Sequence, residues 1–194
     1  MGTWDELRAS YYTHPGDALK PVGETDLDDF EARVGIELPL PFREFAKTFG
    51  SCEIGRDSCK ILAPAPDDPD GEPDGLARIH QDWHEMAADS AEGARRGHYP
   101  MGNHEVGARL VFFGFDGGGD AYGWDPDEVT DAAAREYAIW VRAADCERVA
   151  SSFAELMMDI FLKDDLERWR EAGRPRGPQA DGSGEDLRIL ITPL

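Results

Sequence analysis

The chain is poor in cysteine and in positive charge, and it has no long apolar run. Its three cysteines, Cys52, Cys59 and Cys146, are too few and odd in number for a disulfide framework, and they agree with a reducing compartment. Burial as small core or half-buried residues is the expected role for each. Twenty Lys and Arg stand against forty Asp and Glu, a formal charge of -20. A field of that sign repels nucleic-acid phosphates and anionic membranes, keeps the chain soluble, and speeds encounter with a basic partner. No window approaches the ~20 apolar residues of a membrane span. The opening MGTWDELRAS lacks the basic and apolar regions of a secretory signal, so a cytoplasmic location is expected. Internal repeats and a G-x-S-x-G nucleophile elbow are also missing.

What is present is aromatic and patterned. The 194 residues are 41% hydrophobic and include nine Phe and five Trp. One domain of this size buries close to ~70% of the surface its unfolded chain exposes. The most informative stretch is Arg109 to Pro126, RLVFFGFDGGGDAYGWDP. Leu110, Phe112 and Gly114 alternate with Val111, Phe113 and Phe115, so both faces are apolar and the strand belongs inside a sheet. Three glycines between Asp116 and Asp120 suit a tight reversal into a second strand, Asp120 to Asp125. A further strand is expected at Tyr137 to Val141 and a short one at Cys59 to Ala63. Asp127 to Glu136 reads equally as a helical turn or a polar loop.

Helices frame these strands. Trp4, Leu7 and Tyr11 share a helical face ended by His14 and Pro15. Thr25 opens a second helix with Asp28 in a capping-box-like position and Leu27, Phe30 and Val34 inward, and Gly35 stops it. Leu38-Pro39-Leu40-Pro41 is an extended connector into a third helix, with Phe42, Phe45, Ala46 and Phe49 inward and Gly50 at its end. Residues 64 to 75 collapse to Pro, Asp, Gly and Glu, a surface loop, before helical spacing returns at Leu76 to Met86. Gly93 to Gly107 is turn-rich. Asp145 is placed to cap a long last helix through Val149, Phe153, Leu156, Met157, Ile160 and Phe161, with a possible continuation to Gly173. The reading is an α+β fold: a central, mainly antiparallel sheet with N-terminal helices and a long C-terminal helix packed against it. Residues 1–172 form the domain, 173–185 are linker-like, and 186–194 supply a last strand at the sheet edge or on a partner.

Each chemical motif competes with a plainer reading. Asp70, Glu72 and Asp74 followed by Gly75 imitate a calcium loop, but Gln81 stands where the bidentate glutamate belongs and Pro73 stiffens the turn. His80 and His84, four apart on a helix, could share a zinc with Cys52 and Cys59. The spacing fits no structural finger and lacks the glutamate of a zinc-protease motif, so ordinary surface or cap histidines are expected. His98 and His104 fall in the turn-rich segment and are given no role. Asp116 and Asp120 could be paired carboxylates, but acids flanking a glycine turn usually bond the backbone. The GGG run lacks the lysine and helix of a phosphate cradle. No metal or cofactor is expected. The remaining signal is electrostatic: Asp67, Asp68, Asp70, Glu72 and Asp74 form one dense acidic segment. Asp116, Asp120, Asp125, Asp127 and Glu128 form another beside Trp124. On one face they would offer carboxylates and an aromatic anchor to a cationic partner.

Three stretches in order resemble the SUKH superfamily of Smi/Knr-like cell-wall-assembly regulators and toxin-immunity proteins. They are FEARVGIELPLPFREFAKTFGS from Phe30 to Ser51, the FDGGGDAYGWDP hairpin leading to Tyr137–Arg142, and VASSFAELMMDIF from Val149 to Phe161. Together they span roughly residues 20 to 165. The resemblance implies a non-enzymatic cytoplasmic immunity protein that binds a cognate protein toxin, in many members a nuclease whose basic groove would match an acidic inhibitor. It leaves open a regulatory scaffold of the cell-wall type. A small metal-dependent hydrolase using His80, His84 or the acidic loops is a third reading, from the residues alone. The loop at 64 to 75 and the tail after Gly173 depart from the family pattern, and partner choice can be written there.

Overall fold

A computed structural model describes residues 4–14, 17–55, 59–64, 75–96, 103–143, 145–173 and 189–194. Its centre is a sheet of eight strands: β1 (Tyr11–Tyr12), β2 (Cys52–Ile54), β3 (Cys59–Ile61), β4 (Val111–Phe115), β5 (Ala121–Asp131), β6 (Glu136–Arg142), β7 (Cys146–Ala150) and β8 (Ile189–Pro193). Their order is β1-β8-β2-β3-β4-β5-β6-β7. The β1–β8 pair is parallel and the other neighbours are antiparallel. The helices are α1 (Asp5–Ser10), α2 (Glu24–Val34), α3 (Leu40–Phe49), α4 (Gly75–Arg95), α5 (His104–Gly107), α6 (Phe153–Glu155) and α7 (Lys163–Glu171), with a π-helical turn at Leu156–Phe161. This is the α+β architecture expected, and among the described residues no helix is long and apolar enough to cross a membrane.

The doubly apolar strand is central, between β3 and β5, because residues on both of its faces need cover. Phe113 stacks on Trp124 at 4.2 Å between ring centroids, and Phe42 of α3 meets Trp124 edge-on at 4.9 Å. Phe153 of α6 closes on Phe42 at 5.2 Å and on Phe45 at 5.5 Å. All five rings are fully buried. Burying each stabilises the fold by about 1.5–3 kcal/mol, and each ring pair adds ~0.5–1.5 kcal/mol. The alternate residues Leu110, Phe112 and Ala121 form a smaller cluster with Ala87 of α4, flanked by Trp83 and Trp140. Register slips between Phe112 and Gly114, so the perfect alternation read from the sequence is broken by a bulge.

Several boundaries differ from the sequence reading. The first helix ends at Ser10, and Tyr11 is extended because β8 offers it a ladder. The second helix starts at Glu24, where Asp26 Oδ2 accepts the Gly23 N–H at 3.3 Å, and not at Thr25 with Asp28. Asp145 caps no helix: Cys146–Ala150 pairs with β6 as an outer strand. The last helical unit starts at Phe153, where Ser152 Oγ accepts the Glu155 N–H at 3.0 Å and Glu155 Oε2 accepts the Ser151 N–H at 2.7 Å. Val149 lies at helical spacing from Phe153 by coincidence, and β6 captured it. The S-x-x-E signature at Ser152 to Glu155 marks the true start. The turn-rich reading of 93–107 yields to α4, which runs to Arg95, and to α5. Asp127 to Asp131 prolongs β5, leaving a turn before β6. β8 inserts between β1 and β2, one strand in from the edge.

Two glycines with left-handed backbone sit in different surroundings. Gly35 (φ +76°) has open space at its missing Cβ, whereas Gly50 (φ +69°) lies against the Lys20 carbonyl. Gly35→Ala is expected to cost about 1–2 kcal/mol from the backbone alone. Gly50→Ala adds a clash with main chain that costs a further ~1–3 kcal/mol, so the second variant should unfold at clearly lower urea concentration than the first. Urea denaturation of both variants checks the ranking.

Candidate functional site

The acids of α2 recur at Glu24, Asp28 and Glu31, four and three apart, which puts them on one helical face beside the buried stripe of Leu27 and Phe30. Arg43 and Lys47 of α3 are likewise one turn apart and meet that face. Arg43 reaches Glu24 Oε2 at 2.5 Å, Asp28 Oδ1 at 2.7 Å and Glu31 Oε1 at 2.8 Å. Lys47 Nζ reaches Glu24 Oε1 at 2.6 Å. Burial works against the charge of Arg43, but hydrogen bonds to Asp28, Glu24 and Glu31 outweigh it and hold the guanidinium ionised. The hydrogen bond from Lys47, and then that from Arg43, keeps Glu24 below the usual carboxylate range.

These helices and the β5–β6 turn enclose a cleft of about 490 Å³. The turn is pinned to α3 where the Leu40 N–H donates to the Ala134 carbonyl at 3.0 Å. Arg135 Nε on that turn lies 3.4 Å from Glu37 Oε2. Five carboxylates (Glu24, Asp28, Glu31, Glu37, Glu44) and three cations (Arg43, Lys47, Arg135) line the cleft, so negative charge is in excess. Asp28 and Glu37 remain 65% and 66% exposed while ion-paired, which leaves lone pairs for an incoming donor. Leu40 adds an apolar contact, 41% exposed, among them. Such a surface can take guanidinium or ammonium groups carried by a protein segment.

The site residues read from the sequence are dispersed. Asp67, Asp68, Asp70, Glu72 and Asp74 lie outside the described residues. Asp116 is occupied by its own turn: Oδ1 accepts the Gly118 and Asp120 N–H groups at 2.9 and 3.1 Å, and Oδ2 accepts the Tyr122 hydroxyl at 3.1 Å. The Asp120 carbonyl accepts the Asp116 N–H, closing the reversal. Trp124 has no exposed surface and belongs to the core, so it cannot anchor a partner. Asp125 is also buried, held by Arg109 through Nε at 2.8 Å and Nη2 at 2.7 Å. Asp127, 75% exposed, is 3.3 Å from Arg109, and Glu128 pairs with Arg148 at 2.9 Å. At ~3.3 Å per residue, β5 separates Asp120 from Asp127 by roughly 20 Å, so the hairpin acids form no single patch.

The metal readings find no support in the geometry. His80 Nδ1 accepts the Phe112 N–H at 3.2 Å, and burial, then His84, pushes its pKa down to about 4. It is a neutral acceptor for a backbone group at the bulge. Burial pushes Cys52 up to about 12 and raises Cys59. They sit two residues out of register on β2 and β3, a diagonal too long for a disulfide. Among the described residues no group of three or more His, Cys, Asp or Glu side chains is disposed to hold a metal ion. The cleft is not legible in the sequence because acids at this spacing occur on any solvated helix face; the i, i+4 spacing of Arg43 and Lys47 is the one signal that could point to it.

His80→Ala should leave the Phe112 amide without a partner and cost about 1–3 kcal/mol. The exposed His84→Ala should stay within ~0.5 kcal/mol of wild type, with both read by thermal unfolding at pH 7.5.

Residues 21–159 match the SMI1 / KNR4 family (SUKH-1). No curated protein and no solved structure matches the chain. The match spans the α2–α3 cleft, the central strands and the start of the last helical unit, and the chain belongs to the SMI1 / KNR4 family (SUKH-1).

Proposed function

We propose that this chain is a cytoplasmic immunity protein that binds a cognate protein toxin and blocks it without doing covalent chemistry. The observation that carries the reading is the α2–α3 cleft, where carboxylates outnumber cations around an exposed leucine. Family membership is consistent with it. The partner surface is cationic, as the basic groove of a nuclease would be. The acids at 67–74, the exposed Asp127 and the half-buried Glu128 add to the chain's negative charge. Asp116 and Asp120 contribute charge from the far end of the hairpin, and Trp124 and Asp125 are left out because they are buried.

Mechanistically, the formal charge of -20 raises the rate of encounter. Slow dissociation then comes from the cleft, where a partner guanidinium or ammonium shares carboxylates already oriented by Arg43 and Lys47. Because Arg43 fixes Glu24, Asp28 and Glu31 beforehand, less side-chain entropy is lost on binding than a free acidic helix would lose.

Capture of the protein encoded by the neighbouring gene, followed by stopped-flow mixing, tests the reading. Glu37→Lys combined with Glu44→Lys should slow association by about five-fold at low salt while leaving thermal stability near wild type. An association rate indifferent to ionic strength and to this double variant would remove the cleft from the mechanism. Capture of unrelated cellular proteins in place of a neighbouring toxin would favour a regulatory scaffold.

A further inference from the structure

Glu136 opens β6 and is 3% exposed. Its Oε2 accepts the N–H of Phe153 at 3.1 Å, across the junction between the sheet and α6, while its Oε1 has no partner. That side chain therefore ties the β5–β6 hairpin to Phe153, the ring that packs on Phe42, Phe45, Trp4 and Phe113. No cation reaches it among the described residues. The charged groups around the junction are engaged elsewhere or are themselves acidic. Asp131, its cross-strand partner on β5, accepts the Ala133 and Ala134 N–H groups. Glu155 of α6 accepts the Ser151 N–H. Arg135, next in the chain, points to Glu37, and Arg148 of β7 to Glu128 and Ser151.

A buried carboxylate without a cation and with one orphaned oxygen is costly to ionise and cheap to protonate. Burial pushes the Glu136 pKa up to about 7, the Asp131 charge adds to that rise, and the Phe153 and Ala154 N–H groups oppose it. We propose that Glu136 is a proton-linked joint: it is neutral while the sheet and the α6–α7 unit are locked, and its ionisation loosens the Phe153 junction.

The sign follows from linkage. A carboxyl whose folded pKa lies above its unfolded value contributes stability that is full below the unfolded pKa and is lost as pH rises through the folded one. His80 acts in the opposite direction, since its depressed pKa costs stability as pH falls from 6.5 toward 4. The window is pH 6.5 to 8, where His80 and the buried cysteines shift wild type and a Glu136 variant alike, so the difference between the two isolates Glu136. Over that window the folding equilibrium constant should fall about four-fold through this one group.

Urea unfolding of the full chain at pH 6.5 and pH 8, for wild type and Glu136→Gln, reads the effect. The expected result is that the wild-type folding constant falls about four-fold relative to that of the variant over the window, and that the protection of the Phe153 amide, corrected for the intrinsic base-catalysed rate, falls at pH 8 in wild type only. Carbon-detected NMR titration of the Glu136 carboxyl in wild type gives an answer even if the variant fails to fold. A midpoint between 6 and 8 supports the joint. A midpoint below 5.5, or identical pH slopes in wild type and variant, overturns it.

Discussion

The fold depends on the aromatic contact between β4, β5 and the helices above them: Phe113 flat on Trp124, with Phe42 and Phe153 edge-on around the pair. Edge-to-face geometry aims the positive rim of one ring at the negative face of the next, so the cluster favours one arrangement over many of similar area. Phe42 belongs to α3 and Phe153 to α6, so this contact sets where both helices stand on the sheet. Once α3 is placed, Arg43 and Lys47 one step along it face α2, and the cleft is a consequence of the core beneath.

Charge is handled in two ways. On the cleft, carboxylates surround Arg43 at distances of 2.5–2.8 Å while keeping solvent access, which costs little and leaves them able to bind. Beneath the hairpin, Asp125 is buried with the Arg109 fork closed over it, a geometry that stabilises only because the pair is complete. Glu136 is the exception, a buried acid given backbone N–H groups and, among the described residues, no cation. It is placed where strand, turn and helix meet, so a charge appearing there would be felt by all three.

Much of this was legible in the residues. The double apolar face of Leu110 to Phe115 predicted a central strand, the Asp and Gly run predicted the reversal, and Gly35 and Gly50 predicted the ends of α2 and α3. Those features are local: each follows from side-chain period or backbone sterics within a few residues. The assignment of Asp145 as a helix cap went astray because Val149 satisfies a helical period as well as a strand period, and only β6 offers the hydrogen bonds that decide between them. Trp124 looked like an anchor because its neighbours are acidic. Its position on β5 puts it under α3, and no single-residue property reveals that.

The sequence by itself determined the fold class, the strand at the centre of the sheet, the net negative charge, and the helix stops at glycines, because these rest on composition and short-range periodicity. Tertiary structure alone decided that Glu24, Asp28 and Glu31 meet Arg43, that β8 enters between β1 and β2, and that Glu136 loses water without gaining a cation. Each of those depends on which surfaces segments distant in the chain bring together, and burial and pairing energies are properties of the assembled neighbours.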